Sequence, residues 1–298
     1  MIGRGMVVKS SKGERVSAFL RAPRYEVIPL PGVEEDVLSH VPRDIKLTVT
    51  SSPTLGVERT LEFCEGLSEA GYSVVPHLAA RLVVDEVHLA EILFRVRGMG
   101  VKELFVIAGD AEEPLGKFDG AASLLRAMWT LDHTIERIGV SGYPESHPVI
   151  SDEATIRAME EKTPYATHII SQICFDARVT NMWIEAIRSR GVELPLYIGI
   201  PGVVGKQKLM RVSAKIGLGE SARFLRKNKN WLLKLFVSGG YAPERLIKGL
   251  SPSLSDTRSG VVGFHIYTFN ELAKTEKWRR ETLERLGEKA DAEHAHAE

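Results

Sequence analysis

The chain is short of cysteine, of long apolar runs and of excess charge, and each shortage removes a class of protein. Cys64 and Cys174 are the only two cysteines among 298 residues, too few for a disulfide framework or a cysteine-held metal cluster. No stretch approaches the roughly 18 consecutive apolar residues of a membrane-spanning helix. The first residues, Met1 to Lys9, lack the apolar core of about 7–15 residues that a secretory signal needs. Lys plus Arg and Asp plus Glu both number 39, and that balance argues against a dedicated nucleic-acid binder. The expectation is a soluble, reduced, cytoplasmic protein with neither a membrane nor a nucleic-acid partner.

Several catalytic signatures are also missing. There is no Gly-x-Gly-x-x-Gly, no Gly-x-Ser-x-Gly and no His-Glu-x-x-His. Gly205-Lys206 is no phosphate loop, because Ile200 stands where the first glycine would be and Gln207 follows the lysine. His294 and His296 lie in a polar tail and read as solvated, so no metal site is expected.

What is present is an ordinary core-forming composition, 44% hydrophobic and 26% charged. Eight short β-type runs recur: Arg24–Ile28, Ile45–Thr50, Tyr72–Pro76, Glu103–Ala108, Arg137–Ser141, His168–Ile173, Leu196–Ile200 and Gly263–Tyr267. Several are apolar on both faces, as parallel strands covered by helices should be. Helical patterns fill the gaps at Leu55–Glu69, Asp85–Arg97, Gly120–Thr130, Asp152–Lys162, Val179–Arg190, Lys206–Ile216, Ser221–Phe236 and Glu271–Leu286. Eight alternations point to one α/β domain, a single (β/α)8 TIM barrel over residues 16–286; a doubly wound open sheet is the alternative. Residues 1–15 and 287–298 are expected to be flexible ends. The basic and aromatic stretch Arg223 to Trp231 reads as a solvated helix face.

A barrel of this kind works at the C-terminal ends of its strands. Those positions hold Glu26, Thr50, His77, Asp110, Tyr143, His147, Gln172, Asp176, Tyr267 and Asn270. Glu26 is unusual as an acid centred in an apolar run. Gln172 reads as an amide inside a strand, where it needs partners. No lysine falls at a strand end, which argues against Schiff-base chemistry.

Taken together these pieces resemble the methylenetetrahydrofolate reductase family. They are Tyr25-Glu26-Val27-Ile28-Pro29, Thr48-Val49-Thr50, Pro76-His77-Leu78, Gly109-Asp110, Tyr143-Pro144-Glu145-Ser146-His147-Pro148, Ser171 to Asp176 and Phe264 to Asn270, seven in family order. The resemblance implies a (β/α)8 barrel and reduction of 5,10-methylenetetrahydrofolate to 5-methyltetrahydrofolate, usually with NAD(P)H delivering hydride through FAD. It gives Glu26 the general-acid position and puts Asp110 beside the reacting groups as catalytic and cofactor-facing residue. Gln172, Gln207 and Tyr267 become folate contacts, and Thr50, His77, Tyr143 and His147 line the flavin. Two departures matter. Ala108 stands where the family commonly has arginine, and Glu160 and Glu161 occupy positions aligned with the residues that hold the FAD diphosphate. Acids there repel a diphosphate, so the expectation is a divergent, flavin-independent member binding folate and nicotinamide, with homo-oligomerisation left open. A folate-binding barrel methyltransferase and a non-catalytic folate-binding protein are the alternatives.

Overall fold

The computed structural model describes residues 12–51, 53–144, 152–205 and 243–295. Eight parallel strands close into a barrel in sequence order. They are β1 (Arg24–Val27), β2 (Lys46–Val49), β3 (Val74–Ala79), β4 (Glu103–Ile107), β5 (Arg137–Gly142), β6 (His168–Ser171), β7 (Leu196–Pro201) and β8 (Val261–Tyr267). Pairing of β1 with β8 leaves no free edge. The open-sheet alternative is thereby excluded.

Strand parity separates two cores. Tyr25, Val27, Leu47, Val49, Leu104, Val106, Phe264 and Ile266 belong to the larger core with the helices, where apolar stripes such as Val57, Leu61 and Cys64 of α3 (Gly56–Glu69) cover the strands. Val75, Phe105 and Ile170 form a separate small cluster, with Ile107 and Tyr197 packed on it. That second cluster is the middle of the barrel.

Below it the interior is ionic. Arg24, the first residue of β1, donates to Glu103 Oε1 at 2.5 Å and Lys46 donates to Glu103 Oε2 at 2.7 Å. His168 Nε2 lies 3.2 Å from the same carboxylate, and the Arg24 guanidinium stacks 3.8 Å from the Tyr197 ring centre. Arg24, Glu103 and His168 are nearly inaccessible. Burial alone would raise the Glu103 carboxyl, but hydrogen bonding with His168 and the charges of Arg24 and Lys46 hold it well below the usual carboxylate range. A buried carboxylate needs such partners. The barrel therefore has a closed polar floor.

Two boundaries differ from the sequence reading in ways that move site residues. Pro76 does not end β3. Residues 74–76 pair with β2 and residues 77–79 pair with β4, so the proline sits where the pairing changes sides and the strand runs on through His77 to Ala79. In contrast, β6 stops at Ser171, and Gln172 lies beyond it on the surface.

Around the barrel run α2 (Val33–His40), α4 (Glu86–Gly98), α5 (Ala121–Trp129), α6 (Asp152–Lys162), α7 (Ala177–Ser189), α8 (Glu244–Gly249) and α9 (Ser251–Ser255). At the chain ends, α1 (Lys12–Arg21) begins inside the segment expected to be flexible, because Val16 and Leu20 are buried and Phe19 packs edge-on to Phe264 at 5.4 Å. The last helix, α10 (Leu272–Ala295), continues past the expected end at Leu286. Its Glu276 accepts from Tyr25 at 2.9 Å and from Arg279 at 2.8 Å, tying the helix to β1. The helices expected at Lys206–Ile216 and Ser221–Phe236 lie outside the described residues, as do His147, Gln207 and the stretch Arg223 to Trp231.

Candidate active site

Glu26 is the third residue of β1, and alternation points it to the same side as Arg24, into the barrel above the floor. Register sets Thr48 beside it on β2 and Tyr267 beside it on β8. Its side chain is 15% exposed, and His265 Nε2 lies 3.2 Å from Oε2. Burial raises the Glu26 carboxyl to about 7, partly offset by nearby His77. The same burial lowers His77 to about 4 and His265 to about 3. At neutral pH the site thus holds two neutral imidazoles and a carboxyl near half-protonation.

Aromatic contacts fix these groups. His77 meets Phe105 edge-on at 4.7 Å, and His265 meets Tyr267 edge-on at 4.8 Å. The Tyr267 hydroxyl donates to the Ser171 carbonyl at 3.0 Å, reaching past β7. Gly199 makes that reach feasible, since a Cβ there would lie 2.7 Å from the tyrosine ring and 2.2 Å from the Ser171 oxygen.

The chain after β8 clamps the end of β1. Thr268 donates through its hydroxyl to the Glu26 carbonyl at 2.5 Å. Asn270 brackets Ile28, accepting from its N–H and donating to its C=O, both at 2.9 Å. Phe269 and Asn270 adopt left-handed backbone, φ 51° and 57°, a costly geometry for residues with side chains. The strained residues follow β8 and sit beside the end of β1, the strand that carries Glu26.

Several polar atoms at this mouth are buried without a hydrogen-bond partner, among them Thr48 Oγ1, Thr50 Oγ1, Ser51 Oγ and His77 Nε2. Such atoms suit a bound polar ligand or ordered water. Asp110 lies on the exposed loop after β4. Gly109 before it has φ 89° and passes so close to Ala79 that a Cβ would come within 2.9 Å of the alanine's own. Tyr143 follows β5, and its hydroxyl accepts from Ser141 at 3.2 Å. Gln172 does not sit inside a strand; its amide oxygen accepts from the next backbone N–H, that of Ile173, at 2.8 Å.

At the end of α6, Glu160 and Glu161 are exposed, whereas Lys162 is buried and donates to the Ser141 carbonyl at 3.3 Å. Burial lowers that ammonium to about 8.

The structure brings Glu26, His77 and Tyr267 together and sets Thr50, Asp110, Tyr143 and Gln172 around the same end of the barrel. It adds two residues that sequence reasoning passed over, His265 and Thr48. Both were legible from parity. His265 is two residues before Tyr267, and Thr48 two before Thr50, so each shares a face with a residue already chosen.

Methylenetetrahydrofolate reductase 1 of Schizosaccharomyces pombe is 25% identical over 206 residues, 65% of this chain but 32% of that protein, so the chain spans about a third of its relative's length. Among solved structures, an uncharacterized protein from Clostridium thermocellum that binds two copies of 5-methyl-5,6,7,8-tetrahydrofolic acid superposes with a TM-score of 0.60 at 10% identity, covering 88% of this chain and 94% of that one. Oxaloacetate acetylhydrolase has a TM-score of 0.50 at 10% identity, over 93% and 86% of the two chains. At such identities these likenesses speak to the barrel alone. Residues 40–220, more than half of the chain and most of the strand ends just described, match the family model of methylenetetrahydrofolate reductase, and the chain belongs to that family.

Proposed function

We propose that this chain reduces 5,10-methylenetetrahydrofolate to 5-methyltetrahydrofolate, with NAD(P)H as the hydride donor and Glu26 as the general acid. The observation that carries the reading is the Glu26 carboxyl, held at the mouth of the barrel and raised to about 7 by burial. A general acid works best with a pKa near the working pH.

The chemistry follows from that proton. Glu26 gives it to N10 of the folate, the bond from N10 to the bridging carbon breaks with its electrons going to N10, and the lone pair of N5 forms a cationic iminium with that carbon. Hydride from the nicotinamide adds to the carbon, giving the methyl group and an oxidised nicotinamide. An anionic Asp110 at the mouth favours the cation. Among the described residues, Gln172 and Tyr267 serve as folate contacts, while Thr50, His77 and Tyr143 line the space for the flat ring of the donor; the roles that the resemblance implies for Gln207 and His147 fall outside the described residues.

FAD, usual in the family, demands a ring slot and a cradle for its diphosphate. The orphaned hydroxyls of Thr48, Thr50 and Ser51 and the His77 imidazole suit a flat heterocycle of either cofactor. The diphosphate side fits poorly among the described residues: Ala108 replaces a cation, Glu160 and Glu161 face solvent, and Lys162 is turned inward to Ser141. We therefore draw the hydride step directly from nicotinamide to folate.

The test is nicotinamide oxidation that depends on methylenetetrahydrofolate, with NADH and NADPH tried in turn on purified protein and on E26Q. Turnover in the wild type that collapses in E26Q supports the reading. Folate binding without turnover would replace it with a binding or methyl-transfer barrel.

A further inference from the structure

A carboxylic acid has two oxygens, and a general acid is useful only when its proton rests on the one that meets the substrate. In this barrel one oxygen is already spoken for. His265 Nε2 lies 3.2 Å from Glu26 Oε2, and the histidine is wholly buried on β8. We propose that His265 is a positioning residue whose neutral Nε2–H donates to Glu26 Oε2, leaving the acidic proton to Oε1 on the substrate side. The inference rests on Glu26 acting as the acid and extends that assignment to a residue that acts through its carboxyl.

Three features of the site carry it. The first is the tautomer. His265 Nδ1 is buried with no partner, and a buried N–H left unpaired costs more than a bare ring nitrogen. The proton belongs on Nε2, which has an acceptor. The second is the ring's fixed pose, edge-on to Tyr267 at 4.8 Å and tilted against Phe105 at 6.3 Å. The third is charge. A cationic partner would hold Glu26 ionised and spoil it as an acid, but burial, helped by the charge of Arg24, keeps His265 neutral. Among the described groups facing Glu26, His77 on β3 is neutral by burial, Tyr267 on β8 keeps its proton, and Arg24 on β1 is engaged by Glu103. A neutral donor orients the carboxyl without discharging it.

The test reads the carboxyl itself. Infrared difference titration, with E26Q subtracted, isolates the Glu26 C=O band and its midpoint in wild type, His265→Phe and His265→Gln. Losing the donor should move the band to higher frequency and the midpoint upward, and should lower kcat about 10-fold at unchanged folate KM. Glutamine, which keeps an N–H donor, should restore the band and part of the turnover. Nitrogen-15 spectra of the wild type should show the Nε2–H tautomer from pH 5 to 8. If His265→Phe does not fold, His265→Asn, too short to reach, takes its place. An unmoved band and midpoint would overturn the proposal whatever the activity. Full turnover in E26Q with a shifted band would refute the acid assignment while leaving the pairing intact.

Discussion

Glu26 is buried where an ionised carboxylate is unwelcome, and that cost can be measured. Its folded pKa, about 7, lies above the unfolded value of about 4.3. A raised carboxyl leaves stability intact below pH 4.3 and removes it progressively as pH climbs to 7. E26Q should therefore unfold in urea like the wild type near pH 4.5, yet be more stable at pH 8 by on the order of 3 kcal/mol. The same substitution should lower kcat by about 10²–10⁴-fold at little cost in folate affinity, and wild-type kcat should fall above pH 7 as the acid loses its proton. Equal stability of the two proteins at pH 8 would contradict the burial argument. Gln172 belongs at the other end of the scale. Because it lies at the surface, Gln172→Ala should weaken folate binding by only about 1 kcal/mol and leave nicotinamide binding alone, which titration calorimetry can check. The sequence pointed to Glu26 because an acid within Tyr-Glu-Val-Ile conflicts with its apolar neighbours. His265 carries a weaker signal, since only its parity with Tyr267 separates a histidine within Phe-His-Ile-Tyr from a satisfied core residue.

Elements were legible to the extent that their boundaries followed local rules. Each parallel strand sits under helices on one side and reads as a short apolar run. Asp152–Lys162 is found as expected, and Pro164 just beyond it lies in a short 3-10 turn. Residues of β3 beyond Pro76 were lost because a proline without an N–H reads as a stop, whereas here it falls where the strand changes partners. Short helices such as α8 and α9 carry too few periodic positions to declare themselves. Nothing local marks the charges at the feet of the strands as one cluster. Arg24, Lys46, Glu103 and His168 come from four separate strands, and only closure brings them together. Glu103→Gln should leave Arg24 and Lys46 uncompensated and destabilise the barrel by about 3–5 kcal/mol, measurable by chemical denaturation near neutral pH. A loss below 1 kcal/mol would mean that water reaches the floor. Asn270→Leu strips two backbone groups of Ile28 of their partners and should cost about 2–4 kcal/mol, with kcat falling because β1 carries the acid.

For the whole molecule, the question is how two substrates share one opening. On the proposed direct transfer, nicotinamide and folate must be present together, so initial rates should give intersecting double-reciprocal lines and purified protein should absorb little between 350 and 500 nm. Parallel lines with a stoichiometric yellow cofactor would show that the diphosphate finds support despite Ala108, Glu160 and Glu161. No helix among the described residues is long and apolar enough to cross a membrane.

The polar floor has a consequence for traffic. With Arg24, Glu103 and His168 buried together across one end of the described barrel, guests enter from the other. Two guests in such a space form a queue in which the last to enter is the first to leave. On the proposed reaction, the guest nearer Glu26 should arrive before its companion and depart after it, an order of binding set by the floor.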